Sequence, residues 1–323
     1  MQPLFPEIKP HARHRLQVDA LHNLYVDESG NTAGLPVVFL HGGPGSGCEF
    51  DSRRFFDPAV YRIILVDQRG SGRATPQGET EHNTLHNLIQ DLEQIRELLA
   101  VPAWVVFGGG WGSTLALAYA EHYPAQVLGL ILRGVFLGRQ ADIDWIYKDG
   151  ANAFFPEHWA DFMAPILSVE PKAPCESYRE LMASGNDLIH MTAAKAWSVW
   201  EAHCANLHPN ARLLNHYAAP QRALTRCRIG THYMVNGCFL EPNQILAQAG
   251  QLKDIPGIIV QGRFDVLTPM AAAHALQAHW PSSEILVVRE AGHSATEPAM
   301  IDALLRATKM LAQRLDSPGK GRL

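Results

Sequence analysis

Short apolar runs rich in β-branched residues recur before residue 140 and again after residue 250. They are residues 36–40 (PVVFL), 61–66 (YRIILV), 105–107 (VVF), 127–132 (VLGLIL), 257–262 (GIIVQG) and 284–288 (EILVV). Runs of this length and composition predict buried strands. Residues 14–27 alternate loosely and predict a hairpin, whereas residues 83–100 and 298–315 have the periodicity of amphipathic helices. Strands that alternate with helices predict an α/β fold, with a mostly parallel sheet and helices on both faces.

This alternation is interrupted once. Residues 138–250 contain no comparable β run and are rich in Trp, His and helix-forming residues. We therefore expect a core built from residues 1–137 and 251–323, with residues 138–250 inserted as a helical cap over the edge of the sheet. The basic tail after Pro318 is expected to be disordered.

The composition is that of an ordinary globular protein. The chain has 323 residues, of which 47% are hydrophobic and 18% are charged, and its net charge is -5. This charge gives no case for binding nucleic acid or an anionic membrane, and no apolar run approaches the ~18 residues of a membrane span. The five cysteines are scattered without a CxxC pair, which indicates neither disulfides nor a metal site. We expect a cytoplasmic protein without a metal or cofactor.

A glycine-rich turn joins one predicted strand to the apolar stretch that follows it. Residues 104–119 read WVVFGGGWGSTLALAY, which predicts a strand, a sharp turn and a helix. This order is typical of the nucleophile elbow of α/β-hydrolases, written Gly-x-nucleophile-x-Gly. In that frame Gly110 occupies the nucleophile position, where glycine tolerates the strained turn but brings no hydroxyl. Ser113 is not a convincing substitute, because its hydroxyl is expected to bond to the backbone of the helix start. The alternative is a plain glycine-rich turn that binds phosphate.

Polar residues also follow other predicted strands. HGGPG at residues 41–45 is suited to give one backbone N–H to an oxyanion hole. DQRGSGR at residues 67–73 is expected to be a salt-bridged structural turn. Asp265 and His293 follow the last two strands, in the chain order of an α/β-hydrolase acid and base. In those positions Asp265 orients the imidazole, and His293 acts as general base and then as general acid.

The motifs HGGPG, DQRGSGR, GGxWGSTLALAYA, WSVWE, GRFD and AGHSA together resemble those of the prolyl aminopeptidases (proline iminopeptidases), which have the α/β-hydrolase fold. The resemblance extends from about residue 14 to residue 312. It implies a serine peptidase that removes an N-terminal proline from small peptides. It also implies an oxyanion hole formed by the N–H groups of Gly43 and Trp111. Glu201, in WSVWE, matches one of the cap acids that hold the substrate amine in that family.

The chain departs from the family pattern at two positions. Gly110 replaces the serine nucleophile, and Gly230 stands where the family carries a second amine-binding Glu, unless the alignment of the cap is shifted by one residue. Both departures weaken the expectation of peptidase activity, and the chain as written is expected to be nearly inactive as a peptidase.

Three interpretations of these departures remain open. The first is a peptidase whose nucleophile was replaced, for instance to trap a ligand. The second is a pseudoenzyme that binds a small ligand with a carbonyl group or a partner. The third is an enzyme that uses His293 and the oxyanion hole without a covalent intermediate.

Overall fold

A computed structural model describes residues 2–167 and 172–316. The predicted apolar runs form strands of one sheet, and the predicted hairpin supplies two more. The eight strands are β1 (Ala12–Gln17), β2 (Asn23–Gly30), β3 (Leu35–Leu40), β4 (Tyr61–Asp67), β5 (Trp104–Gly110), β6 (Val127–Val135), β7 (Gly257–Gly262) and β8 (Ser283–Val288). The basic tail after Pro318 lies outside the described residues.

The order of the strands across the sheet is β1-β2-β4-β3-β5-β6-β7-β8. β1 pairs antiparallel with β2, and β2 pairs antiparallel with β4. The remaining neighbours are parallel, so the carboxyl ends of β3 to β8 lie along one edge. A mostly parallel eight-stranded sheet with many helices confirms the predicted α/β-hydrolase fold.

Some of the described helices cover the two faces of this sheet, and those between β6 and β7 lie over its edge. The described α-helices, in chain order, are α1 (Leu85–Leu98), α2 (Trp111–His122), α3 (Gln140–Tyr147), α4 (Pro156–Met163), α5 (Pro174–Met182), α6 (Asp187–Ala205), α7 (Ala211–Tyr217), α8 (Pro220–Val235), α9 (Gln244–Gln248), α10 (Met270–His279) and α11 (Pro298–Asp316). Alternate residues of the central strands belong to two separate apolar clusters. One cluster includes α1, α2 and α10, and the other includes α11. The sheet is therefore buried on both sides, which explains why its strands read as continuous apolar runs.

The described residues between β6 and β7 form helices and turns but no strand. Their interior is aromatic: Phe162 stacks on Tyr178, and Tyr147 stacks on Trp197 at a centroid distance of 4.3 Å. These helices are the segment predicted to be a cap, and they are called the cap below. The boundaries 138–250 of a separate domain remain a prediction.

None of the described helices is long and apolar enough to cross a membrane. No group of three or more His, Cys, Asp or Glu side chains in the described part of the chain is placed to hold a metal ion.

Candidate active site

The turn between β5 and α2 has the geometry of a nucleophile elbow. Gly110 ends β5 with φ 56° and ψ -122°, and α2 begins at the next residue. A positive φ is strained for any residue with a Cβ, so glycine fits this position. Gly112 is needed for a different reason: a Cβ there would lie 2.2 Å from the carbonyl oxygen of Leu40. Glycine thus allows α2 to start directly against β3.

Gly110 faces the imidazole of His293. A Cβ built on Gly110 would lie 3.1 Å from His293 Nε2, which is a tight contact. His293 lies in the turn that follows β8, and its backbone N–H donates to the carbonyl of Ala205 at the end of α6. The position that carries the nucleophile in an elbow is therefore within reach of the imidazole, although this chain has no side chain there.

Asp265 and His293 are joined by a hydrogen bond. His293 Nδ1 lies 2.8 Å from Asp265 Oδ2, well within the ~6 Å expected for an acid and base pair. Because the carboxylate can only accept, Nδ1 carries the proton and the neutral ring keeps a lone pair on Nε2. Burial lowers the pKa of His293, and this effect outweighs the negative charge of Asp265, which by itself would raise the pKa. The ring is therefore neutral at pH 7.

Thr268 fixes the carboxylate of Asp265. The Thr268 backbone N–H donates to Asp265 Oδ1 at 2.7 Å, and its hydroxyl donates to Oδ2 at 2.8 Å. Gln261, in β7, donates from Nε2 to Asp265 Oδ2 at 3.3 Å and to the carbonyl of Thr268 at 2.7 Å. These bonds aim the acid at the imidazole. The motif GRFD shows the acid but gives no sign of Thr268, which comes three residues later.

Gln68 connects the two predicted donors of the oxyanion hole. Its amide Nε2 donates to the carbonyl of His41 at 3.0 Å, and its Oε1 accepts from Trp111 Nε1 at 2.9 Å. The backbone N–H of Gln68 donates to His41 Nε2 at 3.1 Å. The loop that contains Gly43 and the start of α2 are therefore held by one side chain. The motif DQRGSGR indicates a position at the sheet edge but does not single out Gln68.

Asp67 and Arg69 both form salt bridges, which agrees with the salt-bridged turn that the sequence predicts. Asp67 Oδ2 accepts from Arg73 Nε at 2.7 Å, and Arg69 forms two bonds of 2.7 Å with Asp91 in α1. Both salt bridges are buried or partly buried, and they stabilise the turn that contains Gln68.

The cap contributes Glu201 to the same region. Glu201, in α6, accepts from the hydroxyl of Tyr147 at 2.6 Å and is paired with Arg226 of α8. No motif in the sequence indicates Arg226 at this point. Gly230 lies one turn further along α8, where a Cβ would be 3.3 Å from Trp197 Nε1. Gly230 is not among the described residues that line the cavity. Its role as a lost amine anchor remains a prediction.

A cavity of about 550 Å³ lies between the sheet edge and the cap. Its walls bring together the predicted site residues Gly43, Gly110, Trp111, Glu201 and His293. Asp265 stands behind His293. The arrangement offers a neutral base, a strained glycine turn with backbone N–H groups, and an ion pair from the cap.

Comparisons with known proteins agree in fold and in family. A family model for the alpha/beta hydrolase fold matches residues 36–173. The proline iminopeptidase of Xanthomonas citri is 45% identical over 309 residues, covering 95% of this chain and 99% of that protein. The proline iminopeptidase of Arabidopsis thaliana is 43% identical, covering 95% and 82%. Among solved structures, proline iminopeptidase from Mycobacterium smegmatis superposes with a TM-score of 0.64 at 16% identity, covering 94% of this chain and all of that one, which shows the shared fold.

Proposed function

The chain belongs to the proline iminopeptidase family of α/β-hydrolases, and from this premise we propose that it binds a small carbonyl ligand in the cap-covered cavity without forming a covalent bond to it. The observation that carries the proposal is the presence of glycine at position 110, the centre of the elbow. The elbow is intact, yet the residue at its centre has no hydroxyl with which to form an acyl-enzyme.

The remaining groups support binding of a carbonyl. Gly43 and Trp111 line the cavity beside Gly110, and their backbone N–H groups are the proposed oxyanion donors. His293 and Asp265 are the proposed base and acid. We propose this role without a metal or cofactor. The ligand class follows from the family: a small peptide or amino-acid derivative related to an N-terminal proline.

A second function is favoured by one observation, the neutral imidazole that faces Gly110. His293 Nε2 can take a proton from a water molecule as the resulting hydroxide attacks the carbonyl carbon of a ligand. The carbonyl oxygen then becomes an oxyanion facing the two N–H groups, and the same proton passes to the departing amine. This is slow hydrolysis without a covalent intermediate, and it uses only residues described above.

The protein's location is also part of the proposal. All five cysteines are free thiols in the structure. Free, mostly buried thiols are typical of a reducing compartment, so we propose the cytoplasm. We propose neither a nucleic acid nor a membrane as a partner, since the net charge of -5 favours neither.

The test is to place a hydroxyl at the elbow. Gly110→Ser is expected to raise the kcat for hydrolysis of Pro-4-nitroanilide, which does not depend on how tightly its free amine binds, by orders of magnitude, since loss of the nucleophile costs roughly 10⁶ in kcat in a well-studied serine protease. The new Cβ lies 3.1 Å from His293 Nε2, so the ring must shift by a few tenths of an ångström. Gly110→Ala is the matched control, because it introduces the same Cβ and the same backbone strain without the hydroxyl, and it should gain nothing.

Covalent labelling provides the second readout. A fluorophosphonate probe should label Gly110→Ser stoichiometrically and should leave the unaltered chain and Gly110→Ala unlabelled. Labelling or burst kinetics in the unaltered chain would overturn the proposal, because either requires a nucleophile that we have not identified.

A further inference from the structure

Arg226 occupies the part of the cavity where the family resemblance places the amine of the substrate. It is a buried residue of α8, and its guanidinium donates from Nη2 to Glu201 Oε2 and from Nη1 to the hydroxyl of Ser46. The guanidinium also lies 4.2 Å from the ring centroid of Tyr217. Burial by itself lowers the pKa of Arg226, but the negative charge of Glu201 outweighs this and raises it. Arg226 is therefore a permanent internal cation.

The charge of Glu201 is already compensated before any ligand arrives. One oxygen accepts from Tyr147 and the other from Arg226, so each oxygen already has a donor and the negative charge is neutralised. An ammonium group that entered here would be a second cation beside one carboxylate. Burying a charge without a partner is strongly unfavourable, so we expect such a ligand to bind poorly.

The other carboxylates that line the cavity are also paired. Glu49 is bonded to Arg222 at 2.5 Å and to His216 at 3.0 Å, and Asp51 is bonded to Arg54 at 3.0 Å. Among the described residues of the cavity wall, no carboxylate is left to hold an ammonium. A guanidinium, by contrast, carries five N–H donors, and the Nε–H of Arg226 has no partner in the described part of the chain.

We infer that the amino end of the ligand is an uncharged hydrogen-bond acceptor, as in an N-acylated prolyl group or the lactam of 5-oxoproline, and not a free ammonium. Such a group places a carbonyl oxygen where Arg226 presents N–H donors, and it leaves the Arg226–Glu201 pair neutral. This inference rests on the proposed function, which supplies the cavity as a non-covalent binding site.

The test is calorimetric titration of the unaltered chain at pH 7 with three probes. L-Prolinamide has a protonated ring nitrogen, whereas L-pyroglutamamide has almost the same size and no charge. N-acetyl-L-prolinamide is the larger neutral probe. Both neutral probes are expected to bind at least about tenfold more tightly than L-prolinamide, because only L-prolinamide brings an uncompensated charge into the pocket.

Variants at Arg226 give the inference a second, sharper test. Arg226→Leu removes the internal cation and leaves Glu201 free to hold an ammonium, so the preference should reverse toward L-prolinamide. Arg226→Lys keeps a cation and should keep the preference for neutral probes. Arg222→Leu is the matched control: it removes an arginine from the same cavity wall and the same helix, but this arginine does not bond to Glu201, so no reversal is expected.

The outcomes separate this inference from the proposed function. If the unaltered chain binds L-prolinamide as tightly as L-pyroglutamamide, the inference is wrong while non-covalent binding stands. If none of the three probes binds, both ideas fail. If a fluorophosphonate labels the unaltered chain, the proposed function fails, and the probe preference still decides the role of Arg226. Misfolding of Arg226→Leu, checked by circular dichroism, leaves the comparison of probes on the unaltered chain as the deciding result.

Discussion

Buried carboxylates in this protein differ in how their charge is compensated. Asp91 receives two hydrogen bonds of 2.7 Å from Arg69, and Asp27 receives two of about 3 Å from Arg53. Glu121, near the end of α2, is different, because both of its oxygens are buried and have no partner among the described residues. Burial alone raises the pKa of Glu121 to about 9. At neutral pH Glu121 is therefore a protonated acid inside the fold.

This single residue should make stability fall with rising pH. In the unfolded chain Glu121 ionises near the ordinary glutamate pKa of 4.5, whereas the folded chain holds the proton up to about pH 9. The free energy of unfolding should therefore decrease as the pH rises between these two values. Glu121→Gln removes the titration, so it should leave stability nearly unchanged at pH 5 and increase it by about 2–4 kcal/mol at pH 8.5.

Urea denaturation of the two proteins at both pH values measures the effect. Glu97→Gln serves as the control, since Glu97 is an exposed residue of α1 and its replacement should have the same small effect at both pH values. Parallel pH profiles for the unaltered chain and Glu121→Gln would show that Glu121 is ionised in the fold.

At the scale of elements, one network ties the elbow to the ends of β6 and β7. The Ser113 hydroxyl donates to the carbonyl of Gly110 at 2.6 Å and accepts from the backbone N–H of Phe136, just past β6, at 3.0 Å. The sequence predicted that this hydroxyl would bond to the backbone, and the prediction is confirmed. Gln261 Oε1 accepts from the Val135 N–H at 3.2 Å, while its Nε2 reaches Asp265. The elbow and the proposed acid, Asp265, are thus both held by hydrogen bonds at the ends of β6 and β7.

Ser113 should therefore be a stability residue and not a nucleophile. Ser113→Ala removes the hydroxyl that accepts from the buried N–H of Phe136, so it should lower the free energy of unfolding by about 1–3 kcal/mol. Ser184→Ala, at an exposed position of the cap, is the control and should change stability by less than about 0.5 kcal/mol.

The same variant checks the assignment of the nucleophile. In the Gly110→Ser background, Ser113→Ala should not prevent labelling by a fluorophosphonate at a temperature where the fold is intact. Loss of the label from a folded double variant would show that Ser113 takes part in the chemistry.

Much of the core could be predicted because its signals are local. Each strand is a continuous apolar run, and the polar residues of the site follow those runs directly, so a parallel sheet brings them to one edge. The proximity of Asp265 and His293 could be predicted in this way, while their roles remain predictions. The contacts of Arg226, Gln68 and Thr268 could not be predicted. Arg226 and Glu201 lie on two different helices, and the hydrophobic periodicity of each helix does not predict how α6 and α8 pack against each other.

At the scale of the whole molecule, the cap is attached to both halves of the site. The carbonyl of Ala205, at the end of α6, accepts the backbone N–H groups of His293 and Ser294 at 2.8 Å each. On the other side, Glu49 accepts from Arg222 of α8 and from His216 of α7. Glu49 follows the loop that carries Gly43, so the cap holds both the proposed base, His293, and the proposed oxyanion loop. A change in the contacts between the cap and the core should therefore alter the position or mobility of these site residues.

Glu49→Gln should loosen this second attachment locally. The amide keeps the shape of the carboxylate but loses its charge, and both of its bonds go to cap residues. Amide hydrogen exchange should become several-fold faster in residues 42–49 and in α7, and it should stay unchanged in the central strands. Because Glu49 is about half exposed, the global stability should change little. Asp51→Asn is the matched control, since Asp51 bonds to Arg54 within the same short segment and not to the cap.

The same attachment should also depend on pH in the unaltered chain. Burial tends to raise the pKa of Glu49, but the bonds from His216 and Arg222 outweigh it and the pKa is lowered. A lowered pKa in the fold means that the attachment stabilises the protein above the unfolded pKa of 4.5 and is lost as the pH falls through the folded value. Once intrinsic exchange rates are corrected for pH, residues 42–49 of the unaltered chain should approach the exchange of Glu49→Gln as the medium is acidified below pH 4.5. If the two proteins still differ fully at about pH 3, or already agree at pH 7, the charge of Glu49 does not hold the cap to the loop that carries Gly43.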